Sequence, residues 1–284
     1  MRFLQLLLIF VIITTITFAD DETEQKKDTL WTPRGMIGLN LSQIAFLNWT
    51  QGGENSISFT FFSHFGLDYI GMPWKWTNSL KLTYGRSKLG NQGYRTNDNE
   101  IYFESVLIHR LGWKVNPYVS TTFRTAITKG YNYESAPALQ IAGFFDPAYF
   151  TEGLGFAYDE DKGVKQRIGI SFKQTMADKF SNLYSDDPDT PNEIEQFKFE
   201  SGLESVTEVE YEFLQNMSYY GYLRLFTRVN ELDKWDVRWD NIITAKVNSY
   251  VNVNFNFLLI YEEDQSLKRQ IKEALQLGIS YNLF

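Results

Sequence analysis

The chain has 284 residues, a formal net charge of −8 and no cysteine. The missing cysteine excludes disulfides, thiolate metal ligands, a cysteine nucleophile and the lipid-bearing cysteine of a lipoprotein. The acidic balance argues against nucleic acid as a partner, because phosphate binding requires a concentrated basic surface. Apolar residues make up 43% of the chain and aromatic residues 17%, yet the mean hydropathy is −0.31. This composition excludes a bundle of transmembrane helices and suits the alternating strands of a membrane barrel.

The first 19 residues have the pattern of an export signal. A basic start at Arg2 precedes a mainly apolar run, and small residues end it at Ala19. We expect cleavage after Ala19, which removes Arg2 and takes the net charge from −8 to −9. A periplasmic lead over residues 20–33 and a barrel over 34–284 would follow. An uncleaved helical anchor is the alternative, because the run approaches the length of a membrane span.

Beyond the lead, the dominant hydrophobic period is two. In residues 234–247, Trp235, Val237 and Trp239 share one face while Asp236 and Arg238 share the other. Such alternations continue for more residues than the roughly 5–6 of an ordinary strand, and they fit the roughly 9–11 residues that cross a bilayer. A backbone in lipid must close its hydrogen-bond ladder, so these strands must form a barrel. The alternative is a periplasmic β-sandwich, which would have shorter strands.

Twelve strands are predicted, and an even number is usual for bacterial barrels. Their spans are 36–48, 55–70, 73–86, 98–112, 115–128, 148–159, 164–178, 196–214, 218–229, 234–247, 250–262 and 269–284. The connections after the even-numbered strands are short, and those after the third, fifth and seventh are long. The sequence therefore predicts an all-β fold: one closed antiparallel transmembrane β-barrel with short periplasmic turns, longer extracellular loops and both termini in the periplasm.

Aromatic residues collect near the predicted strand ends, where amphipathic rings favour the headgroup level of a membrane. They are Trp49, Tyr69, Trp74, Trp76, Trp113, Tyr118, Tyr219, Trp235, Tyr250 and Tyr261. Ordinary aromatic preference for strands is the alternative explanation.

The last strand resembles the terminal signal that the barrel-assembly machinery reads, an amphipathic strand ending in an aromatic residue. Its apolar face includes Leu277, Ile279 and Tyr281. The final Phe284 is out of phase with this face. The resemblance implies the barrel-assembly machinery as a partner during insertion into outer-membrane lipid.

The run Asn48–Ser56 resembles the first hairpin of a family of uncharacterised outer-membrane barrels common in Bacteroidota, known as a domain of unknown function. The resemblance implies a fold and a location, and no activity. From the residues themselves, Gly52 and Gly53 permit the positive φ of a tight hairpin, and Trp49 can anchor a strand end. Glu54 and Asn55 fit turn chemistry, with a ligand cluster as the alternative.

Catalytic chemistry is poorly supported, so we predict no enzyme and no cofactor. The only two histidines are His64 and His109. Ser63 points away from His64 because neighbours on a strand face opposite ways, and Ser105 lies about 13 Å from His109 along its strand. A nucleophile and its base need contact at about 3 Å. No phosphate loop, dinucleotide fingerprint or zinc pattern occurs.

The predicted eighth strand carries an unusual row of carboxylates on its lumen face. Bases on the inward faces of the neighbouring strands could neutralise it. The predicted lumen charge network comprises Glu200, Glu204, Glu208, Glu210, Glu212, Lys165, Arg167, Lys173, Arg224, Arg228, Arg238 and Lys246. Such a network either fills and neutralises a narrow barrel or forms a charged constriction that selects solutes.

Two functional classes follow from this barrel. The first is a narrow solute channel or transporter with a charged lumen. The second is a closed structural or partner-binding barrel within an envelope complex; transport of a hydrophobic ligand is a further possibility. Strand number does not separate them, because twelve lies between filled eight-stranded and water-filled sixteen-stranded barrels. The acidic loop 184–193 could hold Ca²⁺, although a solvated external loop fits its composition better.

Overall fold

The computed structural model describes residues 30–47, 50, 52–159, 163–186, 190, 193–262 and 268–284. The expected signal segment and nearly all of the lead lie outside this part of the chain, so cleavage after Ala19 stays a prediction. Within the described ranges, no helix has the length and apolarity to cross a bilayer.

Twelve long antiparallel strands form a closed barrel, which confirms the predicted fold class and strand number. The barrel strands are β1 (Trp31–Ile44), β2 (Ser56–Ile70), β3 (Trp74–Leu89), β4 (Arg95–His109), β5 (Asn116–Thr125), β8 (Ala148–Asp159), β9 (Gly163–Met176), β10 (Phe197–Leu214), β11 (Met217–Arg228), β12 (Glu231–Lys246), β13 (Val251–Tyr261) and β14 (Gln270–Asn282). A small hairpin, β6 (Gly130–Asn132) and β7 (Leu139–Ala142), and the short helix α1 (Ser181–Tyr184) lie in the connections.

Each barrel strand pairs with its neighbour along the chain, and β1 closes the barrel against β14. β1 begins at Trp31, earlier than the expected barrel start at residue 34. It also ends at Ile44 rather than at 48, because the chain leaves the ladder for a hairpin. There the backbone N–H of Phe46 donates to Asn55 Oδ1 at 2.6 Å.

The connections differ in length between the two ends of the barrel. At the end that holds Trp31 and Asn282, which we call the turn end, the connections are short. At the other end, the loop end, the connections 126–147 and 177–196 are long, as predicted. The expected loop at 87–97 is shorter, because β3 and β4 continue their pairing into it past a bulge at Gly85.

The barrel has its apolar side chains outside and its polar side chains inside. On β9, Ile168 and Ile170 are exposed, whereas Arg167, Ser171 and Lys173 are buried in the lumen. This arrangement reverses that of a soluble protein and matches a barrel surrounded by hydrocarbon.

Two glycines let the backbones of β8 and β9 approach each other closely. Gly155 and Gly169 face each other in the ladder. A Cβ on Gly155 would lie 2.2 Å from the backbone oxygen of Ile168, and a Cβ on Gly169 would lie 2.1 Å from that of Leu154. Paired glycines of this kind allow a tight corner in a barrel wall.

Aromatic rings cluster at the turn end, as expected of an interfacial girdle. Trp31 contacts Tyr69 and Trp76 with ring centroids 5.1 and 5.7 Å apart. Tyr250 stacks on Tyr281 at 6.2 Å. Tyr118 is the exception, and its assignment to the girdle is wrong: it is buried in the lumen because even-numbered residues of β5 point inward.

The end of β14 explains why Phe284 is out of phase with the apolar face of that strand. β14 ends at Asn282, and the backbone N–H of Leu283 donates to Gly35 O at 2.8 Å. Phe284 therefore lies beyond the alternation of the strand, where its ring packs on Gly35. Its role in assembly stays a prediction.

Candidate functional site

A cavity of about 210 Å³ lies inside the barrel. Six bases and four carboxylates line it, contributed by strands β3 to β5 and β9 to β12. They are Lys81, Arg124, Arg167, Lys173, Arg224, Arg238, Glu100, Glu104, Glu204 and Asp240. Four tyrosines also line the cavity: Tyr102, Tyr149, Tyr220 and Tyr222. We call this space the central cavity.

The carboxylate row of β10 lies on the lumen side of the barrel. Glu200 and Glu204 are only 6% and 7% exposed. Arg224 Nε donates to Glu204, and Arg228 Nε donates to Glu200. The strand register produces these pairs, because Val206 lies opposite Arg224 and places Glu204 diagonally from it on the same face. Buried carboxylates remain ionised only when cations lie this close.

Lys173 and Lys198 add cations around Glu200. Lys173 Nζ lies 3.7 Å from Glu200 and 3.1 Å from Asp236, and Lys198 Nζ lies 3.5 Å from Glu200. Glu200 and Lys173 each have more than one opposite neighbour. The group is therefore a network rather than a set of isolated pairs.

Glu208 and Arg167 meet further towards the turn end. Arg167 Nη2 lies 3.6 Å from Glu208 and 2.5 Å from Glu104 of β4. Lys165 lies opposite Glu208 in the ladder. The structure thus joins the predicted β9 and β10 charges to a carboxylate that the sequence reasoning omitted.

Four residues of the predicted network stay apart from it. Glu210, Glu212 and Lys246 are exposed near the turn end, and Lys165 is half-buried. Within the described ranges none of the four makes an ion pair. Two of them lie at the end of β10, which is 18 residues long and reaches beyond its last pair with β9, Glu210 with Gly163.

Ion pairs also cross the lumen between walls that are distant along the sheet. Arg238 Nη1 on β12 lies 3.2 Å from Glu100 on β4, and these strands are opposite each other in the twelve-strand order. The hydroxyls of Tyr102 on β4 and Tyr222 on β11 lie 3.5 Å apart. Contacts between opposite walls mean that the lumen is narrow at its middle.

The carboxylates that the predicted network lacked also follow the alternation of their strands. Glu100 and Glu104 alternate inward on β4, as Asp236 and Asp240 do on β12. The alternation of inward and outward residues identifies these carboxylates as lumen residues. It does not predict which residues of the opposite wall they contact.

The loop end of the lumen is partly covered. Glu262, just beyond the end of β13, lies 3.7 Å from both Arg124 and Lys173. Burial by itself would raise the pKa of Glu262, but these cations lower it to about 2. Above the lumen, Asp146 accepts hydrogen bonds from the backbone of Asp178 and Lys179 at 3.0 and 3.1 Å, which ties the two long connections together.

The turn end of the lumen is narrowed by apolar side chains and one ion pair. Val106, Ile108, Tyr118 and Ala157 form a buried cluster. Lys75 Nζ lies 2.7 Å from Asp159 nearby. The central cavity therefore lies between a covered mouth and a packed base.

Amides replace charges on the wall formed by β13, β14 and β1. Asn254 Nδ2 donates to Asn252 Oδ1 at 2.6 Å and to Asn40 Oδ1 at 3.2 Å. These side chains pass over Gly278 of β14, where a Cβ would lie 2.1 Å from Asn252 Oδ1. We call Asn40, Asn252 and Asn254 the amide cluster.

Neither histidine forms the serine pairs considered from the sequence. His64 faces the lumen, where its Nε2 lies 2.9 Å from Ser79 Oγ. His109 stacks on Trp74 at 4.3 Å. Ser105 Oγ accepts from Trp76 Nε1 at 2.8 Å.

The predicted tight hairpin is instead a longer connection, residues 45–55, between β1 and β2. Gly52 and Gly53 have φ of 82° and 127°, where glycine is favoured. Asn55 accepts a backbone hydrogen bond, which favours turn chemistry over a ligand cluster. Trp49 lies outside the described residues, as do Asp187 and Asp189, two of the four acidic positions in loop 184–193. Among the residues described, no group of three or more His, Asp or Glu is arranged to hold a metal ion.

The family model "Protein of unknown function (DUF3078)" matches residues 41–131, which include the hairpin motif and β2 to β5. No curated protein matches the chain.

Solved barrels are similar to this chain at low identity. The translocator domain of the autotransporter NalP from Neisseria meningitidis is 10% identical, covers 88% of this chain and 87% of its own, and has a TM-score of 0.39. An outer membrane channel from Pseudomonas putida F1 is 12% identical, covers 94% and 98%, and has a TM-score of 0.39. The NanC porin is 10% identical, covers 88% and 100%, and has a TM-score of 0.41.

Proposed function

We propose that the protein is an integral outer-membrane β-barrel that passes small charged solutes through a narrow, gated lumen, with both termini in the periplasm. The observation that carries this proposal is the central cavity, whose lining holds ten charged side chains between facing walls. Charged rings and rows in a low-dielectric lumen select solutes by charge. The apolar exterior supports the location, because such a surface requires lipid around it.

Cross-lumen ion pairs supply the gate in this proposal. Arg238 on β12 holds Glu100 and Asp240 at 3.2 and 2.8 Å, so it links opposite walls in the closed state. Breaking this link would widen the narrowest part of the lumen. The two charges and their strands would then be free to separate.

Conductance in planar bilayers tests the proposal. We expect the purified protein to show small, intermittent currents, and Arg238→Gln to show larger or longer openings. Lys246→Gln is the matched control, because Lys246 is exposed near the turn end and lies outside the gate. Silence from both the native protein and Arg238→Gln would contradict a solute pathway.

The second candidate is a closed structural or partner-binding barrel within an envelope complex. The contacts between opposite walls favour it, since they fill the middle of the lumen. Under this alternative, Arg238→Gln lowers the melting temperature and creates no current. The same variant therefore separates the two candidates.

The proposed location has its own test. We expect a mature protein that begins at Asp20 and fractionates with the outer membrane of a Gram-negative bacterium, inserted by the barrel-assembly machinery. The family resemblance favours a member of the Bacteroidota. N-terminal sequencing that finds Met1 in an inner-membrane fraction would contradict both export and location.

A further inference from the structure

The charges that line the central cavity do not balance. Its carboxylates already have cationic partners: Glu104 pairs with Arg167, Glu204 with Arg224, and Glu100 and Asp240 share Arg238. Arg124 and Lys173 in turn reach carboxylates that lie outside the lining. Lys81 remains.

Lys81 has no carboxylate within ion-pair distance in the described part of the chain. Its ammonium lies over the rings of Tyr220 and Tyr102, at 5.2 and 5.9 Å from their centroids. A cation–π contact stabilises a lysine and leaves its net charge in place. The cavity therefore contains a lysine that no described carboxylate neutralises at ion-pair distance.

Arg224 provides a second, independent observation. Its Nε donates to Glu204, but its Nη2 is buried and has no hydrogen-bond partner among the described residues. A buried donor without an acceptor costs about 1–3 kcal/mol. A water or a bound acceptor from outside the chain would satisfy this donor.

We infer that the central cavity binds a small organic anion, whose oxyanion group pairs with Arg224 and Lys81 and whose body packs on the tyrosine rings. This inference deepens the proposed function, because it names the solute class of the proposed passage. The volume of about 210 Å³ far exceeds the roughly 10–15 Å³ that one water requires. Tyr102, Tyr220 and Tyr222 place both apolar ring faces and hydroxyls beside the two cations.

Calorimetric titration of the full chain in detergent tests the site with glucuronate and glucose, which differ chiefly by a carboxylate. We expect glucuronate to bind and glucose to give no signal. Lys81→Gln should weaken glucuronate binding about tenfold, as loss of one charged hydrogen bond predicts. Lys81→Arg keeps the charge and should stay within about threefold of the native affinity.

Two controls make the result specific. Lys246→Gln removes an exposed lysine near the turn end and should leave binding unchanged. Melting temperatures of all variants show whether a loss of binding reflects a loss of fold. Equal behaviour of glucuronate and glucose, or equal losses in Lys81→Gln and Lys246→Gln, would overturn the inference.

The binding result and the conductance result are separable. Glucuronate binding in a barrel that carries no current would leave the anion site in place and refute the passage. Currents without charge-dependent binding would leave the passage in place and refute the anion site. Each proposal can therefore fail alone.

Discussion

The two sides of the lumen pair their polar groups by different chemistry. The wall of β9 to β12 carries full charges, and the wall of β13, β14 and β1 carries the amide cluster. Charges such as Arg238 find counter-charges across the lumen on β4, whereas Asn254 bonds to Asn252 on its own strand and to Asn40 two strands away. A charge thus acts over long range and links walls, while an amide organises only its surroundings.

This difference indicates which wall of the barrel could hold a conformational switch. An ion pair between opposite walls couples their separation to the charge of one residue. The amide cluster offers no such control, because its hydrogen bonds are short and local. We therefore expect substitutions on the charged wall to have the larger consequences.

The largest effect is expected from Glu204→Gln. The change leaves Arg224 buried without its counter-charge, and breaking a buried pair costs about 3–5 kcal/mol. Urea unfolding in lipid vesicles measures the free energy. Glu210→Gln, at an exposed position of the same row, should change it by less than about 0.5 kcal/mol. Equal effects would mean that the charged wall is not held by its pairs.

The next largest loss of stability should be the same on both walls, because the outward faces of both meet lipid. Ile170→Lys on β9 and Phe257→Lys on β13 each place a charge towards lipid and should cost about 2–4 kcal/mol. Thr244→Lys points into the lumen and should be tolerated far better. If Thr244→Lys destabilised the barrel as much as Phe257→Lys, the assignment of faces on β12 would be wrong.

A smaller effect is expected at Gly278, beneath the amide cluster. A side chain there must displace Asn252 and Asn254, so Gly278→Ala should cost about 1–3 kcal/mol. Gly93→Ala is the control, since a Cβ on Gly93 meets nothing within 4 Å. Thermal melting of both variants checks the difference. A neutral Gly278→Ala would show that the amide cluster rearranges freely.

The smallest effect is expected at the exposed ion pair between Arg34 and Asp68. Arg34 Nε lies 2.8 Å from Asp68, but the arginine side chain is 50% exposed. Exposed pairs contribute about 0–1 kcal/mol and are screened by salt. Arg34→Gln should lower stability by less than about 1 kcal/mol at low salt and by nothing measurable at 1 M salt. A larger loss would place this pair with the buried network.

Much of the fold was readable because a barrel strand has a period of two and a fixed inside and outside. β8 occupies the span predicted for the sixth strand, residues 148–159, and β10 lies within one residue of the prediction. The same period placed Glu200 and Glu204 in the lumen. The positive φ of Gly52 and Gly53 was predictable from the glycines themselves, because φ is a local property.

Strand ends were less predictable, because side-chain contacts from other segments decide them. β1 ends at Ile44 because Asn55 captures the backbone of Phe46. Tyr118 looked like a girdle residue by its position near a strand end, yet the phase of β5 turns it into the lumen.

By itself, then, the sequence determined the number of strands, the alternation of inward and outward faces and the charged character of the lumen, since all three follow from alternation within single strands. Only the tertiary structure decided which charges meet. The register and the closure of the barrel bring Arg238 to Glu100 and Arg167 to Glu104. Those distances depend on how twelve strands close, and no single strand carries that information.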